Sequence, residues 1–210
     1  MPPDVVFRTK PELAAELLWG PGQHVRHRWI TFAEGYGKDP VFLSRLEEAG
    51  ERYRGEVPQR VRAWRERPVV ETPGASGKGR PRQQARVQAD QPAPQTAEQL
   101  AAALPERAWQ RLAFREGTKG VPRAEFARLR VVVERDDLPG PELWLVSERG
   151  LAQAAKVKYY RSNAAPDVPV LVMAQGVTRV GRWRIVSCRA SRRWGWTPTR
   201  CVAGWVGTTT

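Results

Sequence analysis

Few side chains in this sequence are grouped so that they could do chemistry together. Asp136 and Asp137 form an adjacent carboxylate pair, the residue type that holds a hard divalent cation or shares a proton. They stand directly before Leu138-Pro139-Gly140, between two apolar runs, and that context favours a turn. His24 and His27 are three positions apart in a polar loop and read as solvated histidines rather than ligands. Cys188 and Cys201 are the two cysteines, with no CxxC spacing and no neighbouring histidine. They make neither a disulfide framework nor a metal knuckle. The abundant chemistry is cationic: 35 Lys and Arg against 22 Asp and Glu give a net charge of +13 over 210 residues. Arginine dominates, and a guanidinium pairs with phosphate through two bonds and keeps its charge. GC-rich coding also inflates Arg, Ala, Gly and Pro, but the sign of the charge favours a polyanionic partner, most simply nucleic acid.

The elements that must position these groups can be traced along the chain. Thr9-Lys10-Pro11-Glu12 has the form of a capping box. The helix it starts runs through Leu13, Leu17 and Leu18 to Gly20-Pro21-Gly22. Arg28 to Phe32 is a strand, Gly35-Tyr36-Gly37 a turn, and Asp39 caps a second helix with Pro40 at its first position. Phe42, Leu43 and Leu46 form the apolar stripe of that helix, and Arg52 to Val57 is the next strand. Strand, helix and strand within about thirty residues predict a parallel βαβ unit. From Glu71 to Ala97 the chain is rich in Pro, Gly, Gln and Arg and poor in large apolar side chains, which predicts a disordered linker or a long loop. Strands are expected at Trp109–Phe114, Phe126–Glu134, Leu143–Ser147 and Val157–Arg161, with Leu138-Pro139-Gly140 helping to turn the chain between the second and third. The N-terminus has no apolar signal region and no run spans a membrane, so the expected compartment is the cytoplasm and no membrane is involved.

In their order and spacing these segments resemble bacterial insertion-sequence transposases of the DDE type, whose catalytic core is RNase H-like. FRTKPELA at Phe7–Ala14 is similar to the helix before the second catalytic strand. Trp29–Pro58 resembles that strand, its helix and the next strand. WQRLAFREGTKG at Trp109–Gly120 and VKYYRSNA at Val157–Ala164 resemble the family's insertion segment. VTRVGRWRI at Val177–Ile185 resembles the basic approach to the helix carrying the last acid. The resemblance implies an α/β fold: a partial RNase H-like core over 1–58, a linker over 71–97, a β-rich insertion over 105–165 and a basic return toward the core over 170–185. It also implies DNA as partner, assembly as an oligomer, and two-metal phosphoryl transfer with Mg²⁺ or Mn²⁺ held by two aspartates and a glutamate.

This chain departs from that pattern at each acid. No strand for the first aspartate precedes Phe7, which suggests truncation and leaves an exposed sheet edge. Ala33 stands where the second aspartate is expected, and a methyl group ligates nothing. Glu34 is adjacent, but neighbours on a strand face opposite ways, which makes it a weak substitute. After Ile185 the tail 186–210 shows no helical stripe or strand alternation and reads as irregular or frameshifted, the shift falling between about Ile185 and Trp194. No catalytic acid or bound metal is therefore expected. The expected DNA-binding set is Lys119, Arg123, Arg128 and Arg130 in the insertion, with Arg179, Arg182 and Arg184 near the lost helix.

Overall fold

A computed structural model describes residues 7–25, 27–72, 84–113, 123–151, 156–175, 182–185 and 203–205. In chain order the elements begin with α1 (Lys10–Trp19), β1 (Trp29–Phe32), α2 (Glu34–Gly37), α3 (Pro40–Glu48) and β2 (Tyr53–Val57). Next come β3 (Arg62–Trp64), β4 (Val70–Glu71), β5 (Arg86–Val87), β6 (Gln95–Thr96), α4 (Ala97–Ala102) and β7 (Gln110–Ala113). The long strands β8 (Arg123–Arg135) and β9 (Leu138–Gly150) are followed by β10 (Lys158–Ser162), α5 (Val170–Gln175), β11 (Arg182–Ile185) and β12 (Ala203–Trp205). The chain is of the expected α/β class and divides into two compact units, 1–57 with 161–210, and 58–160.

The first unit holds the partial RNase H-like core. Its sheet runs β12-β11-β1-β2, with β1 parallel to both β2 and β11 and β12 antiparallel to β11. Thr9 caps α1 in a complete capping box with Glu12, and Asp39 Oδ1 accepts the Phe42 amide at 2.8 Å to cap α3. The helix stripe lands as the sequence predicts: Phe42, Leu43 and Leu46 are buried with Ala14, Ala15, Leu18, Ile30, Phe32, Tyr53 and Val57. Phe32 meets Phe42 edge-on at 5.4 Å between ring centres and lies 5.6 Å from Tyr53. Gly55 lets the Phe32 ring pass over β2, since a Cβ there would fall 1.8 Å from Cε2 of that ring. Gly37 does the same for α2, where a Cβ would fall 2.0 Å from the Glu56 carbonyl. The Gly-Tyr-Gly segment, expected as a turn, is thus a short helix laid directly on the β2 backbone.

One expectation for this unit needs correction. The outer edge of β1 is not left open, because Arg182–Ile185 pairs along its whole length. A strand contributed from about 150 residues downstream, beyond the reach of any local pattern, supplies the missing hydrogen bonds. Within the tail, Ala203–Trp205 forms β12 on β11. The rest of 186–210, including the proposed frameshift and both cysteines, lies outside the described residues.

The second unit is built on the β8–β9 hairpin, whose strands are each 13 residues long. Asp136 and Asp137 both have positive φ, 51° and 61°, the backbone of a two-residue type I′ turn. They are turn formers. Leu138, Pro139 and Gly140 are not part of the turn: they lie in β9, opposite Arg135 and Glu134. The primed turn matches strand twist and needs only two residues, so both strands extend further than their apolar runs. The unit's sheet order is β10-β9-β8-β3-β6, with β7 on β8. Phe126, Val131, Val133, Val146 and Leu100 are fully buried.

Within 71–97, residues 73–83 lie outside the description. The remainder holds β5, β6 and the Thr96 capping box of α4, and the Pro92 carbonyl accepts the Trp64 indole N–H at 2.9 Å. The described part of this segment is held by backbone, capping and side-chain bonds, among them Arg86 Nε to Glu71 at 2.9 Å.

Candidate functional site

Parallel strands carry ligand sites at their carboxyl ends, where the connections to helices leave a crevice. In the first unit the carboxyl ends of β1, β2 and β11 lie together, with Phe32 opposite both Gly55 and Ile185. Ala33 is the next residue. It is the N-cap of α2, at φ −81° and ψ 166°, and makes no side-chain cap bond. Its carbonyl accepts the amides of Tyr36 at 3.0 Å and Gly37 at 3.3 Å. Glu34 is the first residue of α2 and is exposed.

A divalent cation of the Mg²⁺ type needs several oxygen ligands. At the end of β1 this chain offers a methyl group at position 33 and one exposed carboxylate beside it. Among the described residues no group of three or more His, Cys, Asp or Glu side chains is gathered to hold a metal. The side-chain donors at this strand end do not fit the two-cation centre that the resemblance implies.

The histidines give a different answer from the one expected of a polar loop. His24 is exposed, but the His27 side chain is 12% exposed. Its Nδ1 lies 2.9 Å from the Val25 carbonyl and its Nε2 3.0 Å from the Glu51 carboxylate. Sequence reasoning missed this because Glu51 is 24 residues away. His27 ties the approach to β1 to the approach to β2. Asn163 works beside it: its Oδ1 accepts the Tyr53 amide at 2.8 Å and its Nδ2 donates to the Glu51 carbonyl at 2.7 Å. Ser162 Oγ donates to the Tyr53 carbonyl at 2.8 Å. These side chains fasten the start of the strand whose far end borders Ala33.

The basic residues separate between the units. Arg182 and Arg184 lie on β11, in register with Trp29 and Thr31 of β1. Arg123 starts β8 and is exposed. Arg128 and Arg130 occupy alternate positions of β8, and their guanidinium carbons lie 4.4 and 5.1 Å from the centre of the Trp144 ring on β9. Cation–π contacts of this kind are an electrostatic attraction to the ring face and bring no opposite charge. Arg130 is also paired, its Nε 2.8 Å from Glu142 Oε1. Neither Trp144 nor Glu142 was marked by sequence, since only the hairpin register brings them opposite Arg130 and Val132. Lys119 and Arg179 lie outside the described residues.

Other arginines of the second unit are committed to acids. Arg149 bonds Glu106 and Glu125, stacks 4.2 Å from the Trp109 ring centre, and shares Glu125 with Arg111. The Arg149 hydrogen bond, with further help from Arg111, holds the Glu125 carboxyl below its usual range. Glu106 in turn, followed by Glu125, raises Arg149. Arg62 is similarly engaged with Glu134 and Asp137. Formal charge therefore overstates how many cations can meet a phosphate.

No helix among the described residues is long and apolar enough to cross a membrane. Comparison with curated proteins gives no match, and comparison with solved structures gives none. A family model described as DDE superfamily endonuclease matches residues 1–121, more than half of the 210. That span contains α1, the parallel β1–β2 pair and position 33. The chain belongs to the DDE superfamily endonucleases, transposase-like nucleases that act on DNA.

Proposed function

We propose that this protein derives from the DDE transposase of an insertion sequence, that it no longer cleaves DNA strands, and that it still binds DNA. Ala33 carries the loss of cleavage. In the family, a carboxylate at the end of the second catalytic strand helps position the cations that activate the attacking oxygen and stabilise the leaving one. Here that place holds a methyl group at the N-cap of α2, and the adjacent Glu34 is exposed as the first residue of that helix. Hard cations have no use for a methyl group, so the two-metal step is not available at this position. The test is cleavage of a duplex carrying a terminal inverted repeat, with Mg²⁺ or Mn²⁺. No product is expected, and turnover abolished by a chelator would refute the loss of chemistry.

Retained DNA binding is supported by the net charge of +13. Lys119, Arg123, Arg128, Arg130, Arg179, Arg182 and Arg184 are its residues. Of these, Arg128 and Arg130 lie against the Trp144 ring. Contacts to phosphate displace counterions and make affinity fall steeply with salt. A fluorescence titration with a labelled duplex at two salt concentrations measures this, and binding that is absent or insensitive to salt rejects it.

A further inference from the structure

His27 stands between α1 and β1, and Glu51 between α3 and β2, so the two meet where the approaches to the paired strands come together. The His27 side chain is 12% exposed and that of Glu51 30%. Both ring nitrogens are engaged: Nδ1 lies 2.9 Å from the Val25 carbonyl oxygen and Nε2 3.0 Å from Oε2 of Glu51. Turning the ring over would set ring carbons against both oxygens, so the two contacts fix its orientation.

A carbonyl oxygen accepts and never donates, and an ionised carboxylate does the same. A neutral imidazole has one N–H and one bare lone pair, whereas an imidazolium has two N–H groups. With Glu51 ionised, only the imidazolium makes both bonds. A ring with a single hydrogen sets a lone pair against one of the two oxygens, and an unmet acceptor is costly in a site largely closed to water.

Glu51 is the acid that faces the ring, and among the described residues His27 makes no other ion pair. Glu47, near the end of α3, accepts the Tyr53 hydroxyl at 2.7 Å. His24 and Arg28 on the near side, and Glu48 and Arg52 on the far side, are exposed. The Glu51 main chain is held by bonds that involve no titrating group: its amide donates to the Leu46 carbonyl at 2.9 Å, and its carbonyl accepts Asn163 Nδ2 at 2.7 Å. The parts left to respond are the Glu51 side chain and the chain ahead of β1.

We propose that His27 is a proton-dependent clamp between the approaches to β1 and β2, closed on both sides while its ring carries two hydrogens and open on one side once it carries one. Histidine as a residue type changes charge between about pH 5 and 8. The closed form holds the extra proton, so the stability that the clamp supplies is present at the acidic end and lost as pH rises.

The test is Tm by circular dichroism across about pH 5–8 for the wild type, E51Q and H24Q. A glutamine at 51 accepts from a protonated ring through its oxygen and donates to a bare nitrogen through its amide, so E51Q suits either form of the ring. The Tm of the wild type is expected to fall relative to that of E51Q as pH rises, by about 3–5 °C for a tenfold weakening of the folding equilibrium. The chain has two histidines, and H24Q, which removes the exposed one, should respond as the wild type does. A difference between wild type and E51Q that stays constant, or a pH response that vanishes in H24Q, overturns the proposal. Should E51Q melt too early to compare, NMR of H24Q reads the clamp directly, since His27 is then the sole histidine. Loss of one ring hydrogen should come with a shift of the Glu51 carboxyl or Val25 carbonyl carbon resonance. A ring that does not titrate, or that titrates with both resonances unmoved, overturns the proposal equally.

Discussion

Restoring an acid at position 33 should stabilise the fold, for a reason independent of catalysis. Ala33 is the N-cap of α2 at φ −81° and ψ 166°. Thr9 and Thr96, which do cap their helices through side-chain oxygens, stand at −72°, 159° and −70°, 157°. The three backbones are alike within about ten degrees, so a carboxylate or hydroxyl at 33 is already aimed at the amides of the first turn. Changing a capping residue to Ala costs about 0.5–2 kcal/mol, with about 1 typical. Ala33→Asp and Ala33→Ser should each return about 1 kcal/mol. For a chain of this size that is a rise in Tm of about 2–4 °C, read by circular dichroism. Because α2 packs closely against the β2 backbone at Gly37, the gain should appear in the cooperative transition rather than as local fraying. If neither variant raises Tm, the end of β1 is not held as a ready cap. If Ser stabilises and Asp does not, the charge beside Glu34 outweighs the cap.

Gly55→Ala should destabilise by about 1–3 kcal/mol through overpacking against Phe32. The smaller ring-free side chain of Phe32→Leu should make the double variant less destabilised than the sum, a coupling that urea titrations can resolve. Asn163→Ala should cost about 2 kcal/mol by unmaking bonds to Tyr53 and Glu51. Asn163→Asp should be worse, since it turns an acceptor toward the Glu51 carbonyl. Glu125 has a depressed folded-state pKa, so its contribution is present above the ordinary carboxylate range and lost as pH falls through the folded value. The stability difference between wild type and Glu125→Gln should therefore shrink on acidification. A difference that stays constant from neutral pH to acid would remove the Arg149–Glu125 bond from the account.

What could be read from the sequence is what local physics decides. The Thr9–Glu12 box, the Asp39 cap, the Phe42–Leu43–Leu46 stripe and the parallel β1–β2 unit each depend on residues a few positions apart. The departure at Ala33 also needed only the residue and its motif. The sequence likewise marked Asp136-Asp137 as turn formers, from the Pro139-Gly140 beside them and the apolar runs on either side.

What the tertiary structure decided depends on register between distant segments. Only strand pairing sets Arg182–Ile185 against β1, closes the edge expected to be open, and aligns Arg54 with Arg184 across Thr31. Only the hairpin register puts Trp144 opposite Arg130, and only the packing of the two strand starts gives His27 its partner in Glu51. Charge can be counted along a chain. Whether a given arginine is spent on an acid, stacked on a ring or left facing outward is set by neighbours that come from elsewhere in the sequence.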